Sequence, residues 1–191
     1  EALDLMLAAN DRSWKHMVES GTTITWEAWD QKYKPNQDWN HAWGAAPANL
    51  LPRFVLGVEA LEPGWRRAVV RPHPAGLDSA EGRIPTPRGH VRVMWTDGET
   101  FRLRLTLPAG LAARVELPAR SQTGGVLSGG KPIAARRVNG RWVLDGDVTG
   151  TVELEVVPSR DSVGTRSERP PGRAHWSSCD RERPLERTRP V

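Results

Sequence analysis

The chain has 191 residues, 26% of them charged and 38% hydrophobic, with nine tryptophans, one cysteine and a net charge of +4. Lone Cys179 excludes an internal disulfide, and no apolar run approaches the roughly 20 residues of a membrane-spanning helix. Eight arginines and five acids lie from Ser159 onward, so the first 158 residues, with nineteen basic and eighteen acidic, are nearly neutral and offer no phosphate-binding face.

In chain order, Leu3, Met6 and Leu7, then Trp14, Met17 and Val18, recur at helical spacing. A break at Asn10-Asp11 and a stop at Gly21 divide them into two expected helices. No charged n-region, apolar h-region or cleavage site precedes them, so no secretory signal is expected and localisation stays open. Gly21 to Gly44 then reads GTTITWEAWDQKYKPNQDWNHAWG, with four tryptophans among hydroxyls, Glu27 and His41. Indoles cover the apolar C–H faces of a pyranose while carboxylates and amides take its hydroxyls, so this mixture suits a sugar site. The competing reading makes Trp26, Trp29, Trp39 and Trp43 packing residues at a junction. Residues from Asn40 to about Leu56 have a helical pattern with an alanine-rich side, and Pro47 and Pro52 are expected to kink it or confine it. Such helices cannot bury their apolar faces alone, so further elements must complete the layer.

From Trp65 onward the period changes to two. Phe101 to Leu107 alternates apolar and polar, as do Val91 to Trp95 and Val152 to Val156. Asn139-Gly140 between Arg137-Val138 and Arg141-Trp142-Val143-Leu144 is a two-residue hairpin signal. Short strands separated by Gly, Pro and Asp turns predict an antiparallel sandwich, with a boundary near Pro63-Gly64. Its expected interior is Val69, Val91, Val93, Trp95, Phe101, Leu103, Leu105, Leu107, Val115, Leu117, Trp142, Leu144, Val152, Leu154 and Val156. The Arg- and Pro-rich segment 159–191, with almost no aliphatic residues, is expected to be disordered.

Several stretches carry a resemblance as a set: Ser13-Trp14, Gly21 to Asp30, Asn40-His41-Ala42-Trp43-Gly44, Leu56-Gly57-Val58 and Glu62-Pro63-Gly64-Trp65. Beyond these come Arg71-Pro72-His73-Pro74, Ala80-Glu81-Gly82, Thr86-Pro87-Arg88-Gly89 and Val91 to Trp95. In this order and spacing, from about residue 1 to about residue 119, the chain resembles the C-terminal part of bacterial α-L-rhamnosidases. The resemblance implies an α + β multidomain fragment: the last helices of an (α/α)6 barrel in residues 1–63, then an antiparallel β-sandwich in 64–158. It implies an inverting glycoside hydrolase, which needs two carboxyl groups roughly 6.5 to 9.5 Å apart. Glu27 matches the position of the general base. His41 would hydrogen-bond substrate hydroxyls, and Trp26, Trp29, Asp30, Trp39 and Trp43 would line the sugar site. In this family the general acid comes from an earlier part of the barrel, so the chain alone is expected to be inactive. No cofactor is implied.

Read without the resemblance, Glu27 is a surface or capping carboxylate, Asp30 a cap or surface charge, and His41 a structural histidine. If the stretch is helical, Asp30 lies one turn from Glu27. Asn40 is expected to cap the following helix, and one of Trp39 and Trp43 to be core. His16, His41, His73, His90 and His175 have no metal-ligand spacing, and no Gly-x-Ser-x-Gly elbow occurs. The expected partner is a carbohydrate, a rhamnosylated glycoside or polysaccharide, with no nucleic acid or membrane; oligomeric state is open. Two alternatives remain: a non-catalytic carbohydrate-binding or structural module, and a related six-hairpin glycosidase acting on another sugar.

Overall fold

The structure is a computed structural model that describes residues 1–121 and 123–158. The segment expected to be disordered, 159–191, lies outside the described residues.

Both expected helices form, α1 over Ala2–Met6 and α2 over Trp14–Glu19. The Ser13 hydroxyl caps α2 by accepting the His16 N–H at 3.1 Å, satisfying one of the donors a helix start leaves over. At the other end Gly21, with φ +82°, closes the helix: its N–H meets the Val18 carbonyl at 3.0 Å, and the Thr22 N–H reaches Met17 at 3.4 Å. Buried Met6 and Met17 face inward.

Residues 22–41 form neither helix nor strand. The chain then winds without interruption through a 3-10 turn at Ala42–Ala45, α3 at Ala46–Leu50 and a π-turn at Leu51–Val55. Pro47 stands in the first turn of α3, where a missing N–H costs little, and Pro52 stands where the winding changes from α to π, so the α-helix is confined to five residues as one of the two expectations had it. The wider winding shows in the Leu56 N–H reaching five residues back to the Leu51 carbonyl at 3.0 Å. The 3-10 turn starts at His41 with no side-chain cap, so Asn40 does not have the capping role expected of it.

Eleven strands follow among the described residues: β1 Val58–Ala60, β2 Arg67–Val70, β3 Ser79–Thr86, β4 Gly89–Asp97, β5 Phe101–Thr106 and β6 Ala112–Pro118, then β7 Gly124–Ser128, β8 Lys131–Ile133, β9 Ala135–Val138, β10 Arg141–Leu144 and β11 Thr151–Pro158. They make two sheets, ordered β1-β2-β6-β10-β9 and β3-β4-β5-β11-β7-β8. The pairing is antiparallel except between β2 and β6, which run parallel. After β2 the chain crosses to the other sheet for β3, β4 and β5 and returns beside β2 in the same direction, a connection that alternation along a single strand cannot reveal. Sheet structure begins at Val58, because β1 pairs with β2 through Val58↔Val70. Pro63-Gly64, expected as the junction, form the turn between those strands; three residues are too few to show a period of two.

Between the sheets lie Trp95, Phe101, Leu103, Leu105, Val115, Leu117 and Leu154, all buried, with the Trp95 and Phe101 rings 5.9 Å apart. Trp142 and Val152 are only partly buried at its margin. Val69 is buried, but Ala68 and Val70 are the β2 residues that enter this core, so Val69 lies on the strand's other face. The Asn139-Gly140 hairpin forms as expected, with φ of +48° and +73° and Val138 paired to Arg141.

The sandwich holds the helical segment directly. The Trp95 indole N–H donates to the Val55 carbonyl at 2.9 Å, and the Leu56 side chain presses on Gly82, where an added Cβ would lie 2.4 Å from Leu56 Cδ1.

Candidate functional site

The residues expected to act together sit on the irregular loop between α2 and the 3-10 turn. Its two limbs are laced by backbone and side chain. The His41 N–H donates to the Thr25 carbonyl at 2.8 Å, the Thr25 hydroxyl to the His41 carbonyl at 2.9 Å, and the Glu27 N–H to the Asp38 carbonyl at 3.0 Å. The Ala28 N–H meets the buried amide oxygen of Gln37 at 3.0 Å. Gly44 allows the close approach of the following turn, since a Cβ there would stand 2.7 Å from that of Thr25.

Indoles fill the base of this loop. Trp26 is the buried one; its N–H donates to the Thr22 hydroxyl at 2.9 Å and its ring meets Trp39 at 5.0 Å, 63° between planes. Trp29 packs edge-on against Trp14 at 4.8 Å, and the Trp14 N–H reaches the Gly44 carbonyl. The expectation that Trp39 or Trp43 is core fails: Trp39, packed on buried Trp26, is still 51% exposed, and Trp43, whose ring neighbours His41, is 83% exposed.

Glu27 lies in this loop and not on a helix, so Asp30 is not one turn away from it. Asp30 turns toward α2, where one oxygen meets His16 Nε2 at 2.8 Å and the other accepts the Lys32 N–H at 3.0 Å. The Lys32 amide first, and His16 next, hold its carboxyl below the usual range. Glu27 has different company. The Lys34 ammonium donates to Oε1, and the Asp38 N–H donates to Oε2 at 3.1 Å. Lys34 and then the Asp38 amide hold the Glu27 carboxyl below its ordinary value, so it is a carboxylate at neutral pH. His41 Nδ1 is 3.4 Å from Asp38 Oδ2, and its ring lies 5.9 Å from that of Trp43, tilted by 35°.

The structure therefore brings Glu27 and His41 together, with Trp43 against the His41 ring, while Trp39 packs on Trp26, and Trp29 and Asp30 are engaged by Trp14 and His16 of the α2 region. Lys34 and Asp38 also belong to the cluster and escaped the sequence reading, because Lys-Tyr-Lys-Pro-Asn-Gln-Asp has the composition of a solvated turn. Glu27, Asp38 and His41 place ligand atoms within 4.8 Å of one another, a grouping their irregular spacing hides. A metal there would lie close to the Lys34 ammonium already paired with Glu27, and the two positive charges would repel. The arrangement suits a neutral polyol: a carboxylate and an imidazole for hydroxyls, and an exposed indole for a C–H face.

A separate apolar groove of about 680 Å³ runs between α1, α2, the Ala46–Val55 stretch and β3, lined by Leu3, Met6, Met17, Ile24, Leu51 and Val55 among others. No helix among the described residues is long and apolar enough to cross a membrane.

Residues 1–55 match the family model of the bacterial alpha-L-rhamnosidase 6 hairpin glycosidase domain, and residues 57–131 that of the bacterial alpha-L-rhamnosidase C-terminal domain. Among curated relatives, an alpha-L-rhamnosidase of Alteromonas sp. is 30% identical over 125 residues, 61% of this chain and 14% of that protein. One of Streptomyces avermitilis is 27% identical over 117 residues, 56% of this chain and 11% of its own length. The alpha-L-rhamnosidase from Dictyoglumus thermophilum shares the fold with a TM-score of 0.71 at 24% identity, covering 81% of this chain and 18% of that one. The native enzyme of Aspergillus terreus does so at 0.60 and 26% identity, over 79% of this chain and 16% of that one. The chain thus spans about a seventh of the length of the first curated relative.

Proposed function

Because this chain belongs to the bacterial α-L-rhamnosidase family, we propose that it supplies the C-terminal part of an inverting α-L-rhamnosidase, with Glu27 as general base. The observation that carries this reading is the state of Glu27: a carboxylate with a donor on each oxygen, held ionised near His41, whose ring neighbours the exposed Trp43. In an inverting hydrolysis a water oxygen attacks the anomeric carbon as the glycosidic C–O bond breaks. Glu27 takes the water's proton, and a general acid gives a proton to the leaving oxygen. That acid belongs to a part of the barrel outside these residues, and Asp4, Asp11 and Glu19 do not replace it. His41 and Asp38 would bind hydroxyls of a terminal rhamnosyl residue, and Trp43 with Trp39 would cover its apolar face. The helices up to Val55 then complete the barrel, while the sandwich from Gly57 buttresses them.

The test is made in a polypeptide in which the preceding barrel is present. Glu27→Gln should lower kcat on an aryl rhamnoside by at least about 100-fold with KM little changed, the size expected for loss of a general base. Unchanged turnover with sugar affinity retained would favour a non-catalytic carbohydrate-binding module. Rhamnose release by the 191-residue chain alone would show that both carboxyls lie within it and would overturn the assignment of the acid.

A further inference from the structure

The loop treats its two lysines differently. Lys32 is drawn to Asp11, which also accepts the Tyr33 hydroxyl at 2.9 Å, and the Arg12 guanidinium lies over the Tyr33 ring at 4.6 Å. These contacts fix the chain just before Lys34. Just after it, Pro35 and Asn36 form a turn closed by the Gln37 N–H on the Lys34 carbonyl at 3.0 Å, and buried Gln37 ties that turn to Ala28. Lys34 is thereby set on a pinned segment opposite Glu27, and its ammonium meets Oε1 while the Asp38 N–H meets Oε2.

We propose that Lys34 is a positioning residue for the hydrolysis, orienting the Glu27 carboxylate so that it faces the attacking water. This rests on Glu27 being the base. A carboxylate has about four acceptor sites, and the two donors occupy one on each oxygen, leaving each oxygen a site for water. One donor alone would let the carboxylate swing about its terminal torsion, which is broad for glutamate. The Lys34 side chain is 41% exposed, and pairs of this kind add little to stability, so the contact bears on the carboxylate and not on the fold. The charged and titratable groups facing Glu27 are Lys34, His41 and Asp38: the first favours the anion, His41 does so when protonated, and the Asp38 carboxylate opposes it.

Two measurements test this. In the 191-residue chain, the Glu27 carboxyl titration followed by carbon NMR should move to higher pH in Lys34→Met and stay low in Lys34→Arg, with the thermal midpoint of both near that of the unaltered chain. In the polypeptide with its barrel complete, Lys34→Met should lower kcat about tenfold with KM within about twofold, raise the acid limb of the kcat profile, and be rescued by Lys34→Arg. Turnover abolished by Glu27→Gln, but an unmoved titration and acid limb in Lys34→Met, would overturn the role of Lys34 alone. Turnover that survives Glu27→Gln would overturn the base reading and this inference with it.

Discussion

At the scale of single residues, Asp30 and Glu27 stand three positions apart and are held by different partners. The Lys32 amide and His16 favour the Asp30 carboxylate in the folded chain, lowering its pKa. A lowered folded-state value contributes stability above the ordinary carboxylate pKa, and that contribution is lost as pH falls through the folded value. Asp30→Asn should therefore lower the urea midpoint at neutral pH and flatten its decline on acidification, with both variants converging at the acid end. Equal acid slopes would refute the assignment. Glu27, His41 and the tryptophans were legible in the sequence because they fall inside short motifs. Lys34 and Asp38 were not, since nothing in a Lys-Pro-Asn-Gln-Asp turn reveals which carboxylate it folds against. The helical spacing considered for Asp30 failed because the loop's hydrogen bonds run across its limbs, from Thr25 to His41 and Glu27 to Asp38, and not along the chain.

At the scale of elements, the link between the π-turn and β1 is a point of close backbone approach. Gly57 has φ +79°, and a Cβ there would stand 2.2 Å from the Arg71 carbonyl carbon. Gly57→Ala should destabilise the chain by about 1–3 kcal/mol for the backbone strain alone, more with the clash, measurable as a drop in denaturation midpoint. An unchanged midpoint would mean that the two segments join with more freedom than the structure shows. The strands β4, β5 and β11 and the β9–β10 hairpin were legible because each carries a clear alternation or an Asn-Gly turn. The parallel pairing of β2 with β6 was not, because direction leaves no mark on alternation; nor was the parity of β2, where three consecutive residues are buried. Prolines in the Ala42–Val55 stretch signalled interruption, yet a change of winding absorbed them.

At the scale of the whole molecule, the helices present an apolar groove toward which Ile24 and Leu51 remain substantially exposed. Two short helices and a loop could not cover themselves, and the sequence already required further elements for that reason. The 191-residue chain should therefore bind an apolar dye and brighten its fluorescence, and Ile24→Lys with Leu51→Lys should weaken that signal without loss of β-sheet circular dichroism. No dye binding would show that the groove closes on itself. The Trp95 indole donating to the Val55 carbonyl gives this molecule one more property. A residue deep in the sandwich terminates the helical segment that leads back to the loop of Glu27, so the two parts are not interchangeable cassettes. A chimera joined at residues 55–57 would inherit a working seam only if its donor sandwich brought an indole to the same carbonyl, and relatives that exchange this half should do so as a matched pair.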